Sequence, residues 1–249
     1  MICNNCGKDY KEVFENGSYC FGCGNRENFG SGLLDSKLKA KELEVFYAHL
    51  SAQDVKDIGL KWNIVPIQLG VYGVHLAISK FTPSVNWIVF PVLDENGREI
   101  MSQLRAWKGT HKTKYLSSRT EDVDPTGVVW KSWHQKSWNT PGLQHPVVAP
   151  MRYPLIGIVE GIPDGLRLSQ FLPTIALIGS TPDQAKIDTV LKSGERFVVM
   201  LDADALDHAF DIQRRLGVQR TLVIPLVSGD PADLTPAQLG GILRSWDIV

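Results

Sequence analysis

From Leu155 to the C-terminus the chain alternates short apolar runs with amphipathic stretches. LIGIVEG, TIALIG, RFVVMLD and TLVIPL each read as a buried strand, and DGLRLSQFL, PDQAKIDTVL, ALDHAFDIQRRL and TPAQLGGILRSW each read as the helix that follows. Four β–α pairs in succession predict a mostly parallel sheet covered by helices. In such sheets the functional groups gather beyond the carboxyl ends of the strands.

Acidic residues recur at that edge. Glu160 ends the first strand and Asp164 follows in the turn; Asp202 and Asp204 end the third; Asp230 and Asp233 follow the fourth. Carboxylates gathered at one edge repel one another without cations, and their oxygens suit magnesium or manganese. Helix capping is the competing explanation, since Asp164 and Asp204 both stand where an N-cap is wanted. Capping accounts for either one singly, but not for Glu160, nor for Asp202 at the end of FVVML.

The segment ahead of this region has a different pattern. VNWIVFPVL at 85–93 reads as a strand and 98–106 as its antiparallel partner, with Asn96-Gly97 as the hairpin signal between them. VKDIGLKW reads as the end of a short helix, and KWNIVPIQLGVYGVHLAIS as β-rich stretches broken by Pro66, Gly70 and Gly73. Trp130, Trp133 and Trp138 are core residues or a nucleic-acid platform, and the core reading is preferred. A small α+β domain with a mostly antiparallel sheet is expected. Between Arg98 and Arg119 lie Arg105, Lys108, Lys112 and Lys114 against only Glu99, a basic stretch that either holds phosphates or is a solvated loop.

All four cysteines fall in the first 23 residues, as two C-x2-C knuckles: Cys3 and Cys6, then Cys20 and Cys23. Each knuckle can aim two thiolates at one metal, and Asn16-Gly17 offers the turn between them. Four thiolates complete a closed, tetrahedral zinc site, with a pair of disulfides as the alternative. So small a module buries no core, so the metal supplies its folding energy. Tyr19 and Phe21 flank Cys20 and either stack on bases or pack around the metal.

Net charge is −1 over 249 residues, so the chain as a whole is no electrostatic magnet for nucleic acid. No apolar run approaches the roughly 18 residues that span a bilayer, and MICNNC carries no export signal. The cytoplasm, a host's if the source is viral, is the expected location. There is no GxxxxGK[ST], GxSxG, HExxH or GxGxxG. His75, His111, His134, His145 and His208 show no ligand spacing.

Taken together, EGIPDG at 160–165, GST at 179–181 and DAD at 202–204 resemble the Toprim fold shared by primases, topoisomerases and recombination proteins. FPVLDENG and KYLSS, at 90–97 and 114–118, are similar to the basic subdomain that precedes Toprim in bacterial-type replicative primases. Gly229-Asp230-Pro231-Ala232-Asp233 is similar to the last acidic motif of that core, and CNNCG…FENGSYCFGC to the zinc module of phage primase-helicases. The resemblance keeps this order through nearly the whole chain. It departs where Ala205-Leu206-Asp207-His208 replaces a small Ala-Gly pair after DxD.

The resemblance implies an α/β primase in three parts: a zinc ribbon at 1–30, a basic α+β subdomain at 31–150 and a Toprim domain at 151–249. It implies RNA-primer synthesis from ribonucleoside triphosphates on a single-stranded DNA template. Glu160, Asp202 and Asp204 would hold catalytic magnesium or manganese, with Asp164, Asp230 and Asp233 as further metal positions. Arg105, Lys112 and Lys114 would bind template or nucleotide. No helicase motor is present in the sequence, so a separate helicase and a polymerase are the expected partners, and no membrane is. The rival readings are a zinc and Toprim recombination mediator that clamps DNA without catalysis, and a Toprim nuclease. The mediator leaves the FP…DENG…KYL segment unexplained.

Overall fold

A computed structural model describes residues 11–14, 17–20, 26–28, 45–79, 86–108, 115–119, 124, 126–134, 152–179 and 181–249. The chain divides into two compact units, Met1–Glu42 and Leu43–Val249. The first contains three short strands, β1 (Lys11–Phe14), β2 (Gly17–Cys20) and β3 (Arg26–Asn28), in an antiparallel sheet of that order. Cys20 ends β2, opposite Lys11. Cys3, Cys6 and Cys23, and with them the metal expectation for this module, lie outside the described residues.

The second unit opens with β4 (Val45–Ala48), α1 (Ala52–Trp62), α2 (Pro66–Val71), β5 (His75–Ser79), β6 (Asn86–Leu93), β7 (Glu99–Lys108) and β8 (Tyr115–Arg119). The five strands form an antiparallel sheet in chain order. The β6–β7 hairpin turns where Asn96-Gly97 predicts. Gly97 takes φ 73°, and the Asp94 carboxylate accepts from the Asn96 and Arg98 amides at 2.9 and 2.8 Å.

One expectation for this region is corrected: residues 66–71 are helical, and only 75–79 of that stretch is a strand. Pro66 sits in the first turn, where its fixed φ suits a helix and its missing N–H costs nothing. The Gln68 side chain then accepts from the Val65 amide at 3.3 Å.

The remaining elements are β9 (Trp130–Lys131), β10 (Tyr153–Val159), α3 (Ile162–Leu168), β11 (Thr174–Ala176), α4 (Gln184–Ser193), β12 (Gly194–Val199), α5 (Leu206–Leu216), β13 (Thr221–Val223) and α6 (Pro236–Ser245). The second sheet has the order β13-β12-β10-β11-β9. Its first four strands are parallel, as the β–α alternation demands, and β9 is an antiparallel edge.

Alternation along β10 and β12 fills both faces of this sheet. Ile156, Ile158, Phe197 and Val199 pack under α4 and α5, with Ile187, Val190, Ile212 and Leu216. Val159 and Val198, with Met200 just beyond β12, face the other way. They share one core with Leu166, Leu239 and Leu243, and with Trp62, Ile88 and Phe90 of the antiparallel layer. Trp130 belongs to this core: it is 2% exposed and tilted on Tyr72 at 5.1 Å. A Cβ on Gly165 would stand 2.7 Å from its ring, so glycine lets α3 press against β9. Trp138 lies outside the described residues. Among the described residues no helix is long and apolar enough to cross a membrane.

Candidate metal centre

Three loops leave the carboxyl edge of the parallel sheet side by side and bring Asp164, Asp202 and Asp230 together. One carboxylate oxygen of each lies within 4.8 Å of the others. Asp164 is buried in the first turn of α3. Its two oxygens accept from the amides of Gly161 at 3.2 Å and Ala232 at 3.1 Å, so it ties the first loop to the last. Asp202 follows β12 at the start of a 3-10 turn, Ala203–Ala205, and the next amide, Ala203, donates to the Gly229 carbonyl at 2.9 Å. Asp230 starts the 3-10 turn Pro231–Asp233.

Burial, followed by the nearby charges of Asp230 and Asp202, pushes the Asp164 carboxyl well above the usual carboxylate range. Like charges this close do not all ionise on their own, and a bound cation would favour their ionised forms. The donors are oxygens only, and they fit a hard divalent ion such as magnesium or manganese.

The other acids take different places. Asp233 is exposed, and its carboxylate accepts from the Asp230 amide at 3.3 Å while Asp230 accepts from the Asp233 amide at 3.0 Å. This reciprocal cap sets the turn. Gly229 makes room for it at φ 69°, where a Cβ would come 2.6 Å from an Asp233 oxygen. Asp204 is exposed within its 3-10 turn. Glu160 is half-buried just beyond β10, and its carbonyl accepts from the Ile178 amide at 2.9 Å. Neither belongs to the triad.

The antiparallel layer contributes a group that the sequence reading did not single out. Tyr115 stands opposite Arg105 across β7 and β8, and Arg105 Nη1 donates to its hydroxyl at 2.5 Å. Burial pushes the Tyr115 phenol far up, Arg105 opposes this, and the charges of Asp164, Asp230 and Asp202 push it further. Tyr115 is therefore within electrostatic reach of all three acids. The Arg105 guanidinium lies 4.7 Å from the Trp62 ring and 5.0 Å from the Tyr115 ring, distances at which cation–π attraction acts. Tyr115 falls within KYLSS, the segment similar to the basic primase subdomain, and no alternation of apolar and polar residues marks it. Nothing in the sequence marked Trp62. Lys112 and Lys114 lie outside the described residues.

No protein-family model matches the sequence, and no curated protein matches it. Solved structures do. The primase fragment of the bacteriophage T7 primase-helicase matches over 99% of this chain and 96% of its own, with TM-score 0.53 and 16% identity. The Aquifex aeolicus primase, zinc-binding and RNA polymerase domains, matches over 98% and 77%, with TM-score 0.60 and 14% identity. A DnaG primase catalytic domain bound to single-stranded DNA matches over 86% and 74%, with TM-score 0.56 and 14% identity. The fold is that of the primase catalytic core: an antiparallel layer joined to a mostly parallel α/β layer. It is the phage and bacterial type of that fold.

Proposed function

We propose that this chain is a DNA primase. In this reading it joins ribonucleoside triphosphates into short RNA primers on a single-stranded DNA template. The observation that carries the reading is the Asp164–Asp202–Asp230 triad at the carboxyl edge of a parallel sheet in a primase fold. Bound magnesium or manganese would neutralise phosphate charge and favour the attacking 3′ oxygen.

The chain's own residues have three tasks. Asp164, Asp202 and Asp230 hold the ion, with Glu160 and Asp204 at the same edge as further carboxylates. Arg105, fixed by Tyr115 and Trp62, offers a preorganised guanidinium to phosphate, and Lys112 and Lys114 extend that basic surface. The scaffold aligns the two nucleotides, so that the 3′-hydroxyl of one attacks the α-phosphate of the other and pyrophosphate leaves. Cys3, Cys6, Cys20 and Cys23 hold zinc in the N-terminal module, which clamps the template. A separate helicase supplies the single strand, and a polymerase takes over the primer.

The test is incubation with single-stranded DNA, labelled ribonucleotides and magnesium, followed by a sizing gel. Short RNA products that require template and magnesium are expected. Cleavage of the DNA would replace the reading with a nuclease, and binding without product with a DNA clamp.

A further inference from the structure

Ile178 adopts φ 56°, in the left-handed region that a β-branched residue avoids at a cost of about 1–2 kcal/mol. Such conformations persist only where their surroundings over-determine them, and they gather at functional sites. Here the turn directs two successive amides, Ile178 and Gly179, at the Glu160 carbonyl, at 2.9 and 3.4 Å. Glu160 directly follows β10, and the same loop runs on to Asp164. The strained turn is thus latched to the segment that positions the acidic centre.

A lysine holds the turn from its other side. Lys186 Nζ donates to the carbonyls of Leu177 at 2.7 Å and Ile178 at 3.4 Å. The position is a poor one for a cation on two counts. It lies in the first turn of α4, where the helix dipole disfavours positive charge. It is also partly buried, and burial depresses the ammonium's pKa. The two carbonyls, together with the negative charge of Asp183, offset these costs. Asp183, which caps α4 by accepting from the Lys186 amide at 2.7 Å, fixes where the side chain begins.

We propose that Lys186 is a positioning residue for the acidic centre. Its ammonium locks the 177–179 turn in its strained form, and the turn's two amides hold the Glu160 backbone at the sheet edge. This rests on reading that edge as a metal-dependent polymerising site.

The test uses the full chain, with Lys186→Met to remove the donors at similar length and Lys186→Arg to keep them. Three quantities are measured: hydrogen exchange of the Ile178 and Gly179 amides, Mn2+ affinity by calorimetry, and primer synthesis against magnesium concentration. Lys186→Met should speed exchange of both amides by about tenfold or more, the scale of one lost charge-assisted hydrogen bond. It should weaken Mn2+ several-fold and raise the magnesium needed for synthesis, with single-stranded DNA binding unchanged. Lys186→Arg should restore protection. Glycine takes the left-handed region freely, so in an Ile178→Gly background the effect of Lys186→Met should fall below half.

Unchanged exchange in Lys186→Met, or an equal effect in both backgrounds, would overturn the lock. If Lys186→Met alone does not fold, the double variant should, and its failure to fold would also overturn the proposal. Absence of primer synthesis by the unmodified chain would sink the polymerase reading instead. The exchange and Mn2+ measurements would still decide the lock.

Discussion

At the residue scale, the triad's charges repel one another, and a bound cation would relieve that repulsion. Replacing Asp202 with Asn removes one negative charge beside the buried Asp164 at nearly constant size. In chelator this variant should be more stable than the parent, by about 1 kcal/mol of relieved repulsion. With magnesium at a hundred times its dissociation constant, the parent should gain about 2.7 kcal/mol, and the variant little. Primer synthesis should fall by orders of magnitude. Melting curves with and without magnesium check the first two, and an Asp202→Asn chain that gains as much from magnesium as the parent would exclude Asp202 as a ligand. The acids were legible in the sequence because each follows an apolar run. Which of them converge was not. Asp202 and Asp204 are two residues apart, and a single 3-10 turn sends the second to the surface. Asp164 and Asp230 are brought together by long-range bonds, among them one from an amide 68 positions away to the Asp164 carboxylate.

At the element scale, two polar contacts join the helices of the first layer to their surroundings. Asp54 completes the capping box of α1 with the N-cap Ser51, accepting from the Ser51 hydroxyl at 2.6 Å, and pairs with Lys108 of β7 at 2.7 Å. The Lys108 bond, followed by Ser51, pulls its carboxyl down to about 2. A depressed carboxyl contributes stability above its unfolded value of about 3.9 and loses it as pH falls through the folded one. Asp54→Asn should therefore destabilise at neutral pH by about 1 kcal/mol, kept small because the ammonium is half exposed to screening solvent. The difference should close between pH 4 and about 2 in denaturant titrations.

The second contact is Arg167, fully buried in α3. It donates to the carbonyls of Leu234 at 3.0 Å and Asn63 at 3.3 Å, while Asn63 donates to Ala232 at 3.2 Å. The α1–α2 junction is thereby pinned to the turn that carries Asp230. Arg167→Met should cost about 3 kcal/mol and loosen Mn2+ binding, because it strands buried carbonyls beside that turn. A fully stable variant would show the network to be dispensable. Of these elements the long periodic ones were legible. The six-residue helix 66–71 was not, because its apolar residues fit either period, and neither was the two-residue strand β9.

At the scale of the whole molecule, the chain's two units suggest divided labour. The acidic triad, Arg105 and Tyr115 all lie within Leu43–Val249, and so do the described hydrophobic cores. Residues 43–249 should therefore fold when the first 42 are removed, and should retain the triad's cation binding. On the proposed primase reading, initiation and extension ask different things of this unit. To initiate, a template and two free nucleotides must be gathered, at high entropic cost. To extend, one partner is already held by base pairing. A module tethered to the catalytic unit raises the effective concentration of template at the centre without forming any new catalytic contact. Truncation should then depress dinucleotide formation by roughly 100-fold, within the span that tethering gives, and extension of a supplied oligoribonucleotide far less. Replacing Cys20 with Ser in the full chain should reproduce the defect if zinc holds the module together. The measurement compares both steps in the full, truncated and Cys20→Ser chains on one template. Equal loss of initiation and extension would assign the N-terminal unit to the folding of the core, whereas loss of initiation alone would assign it to the template.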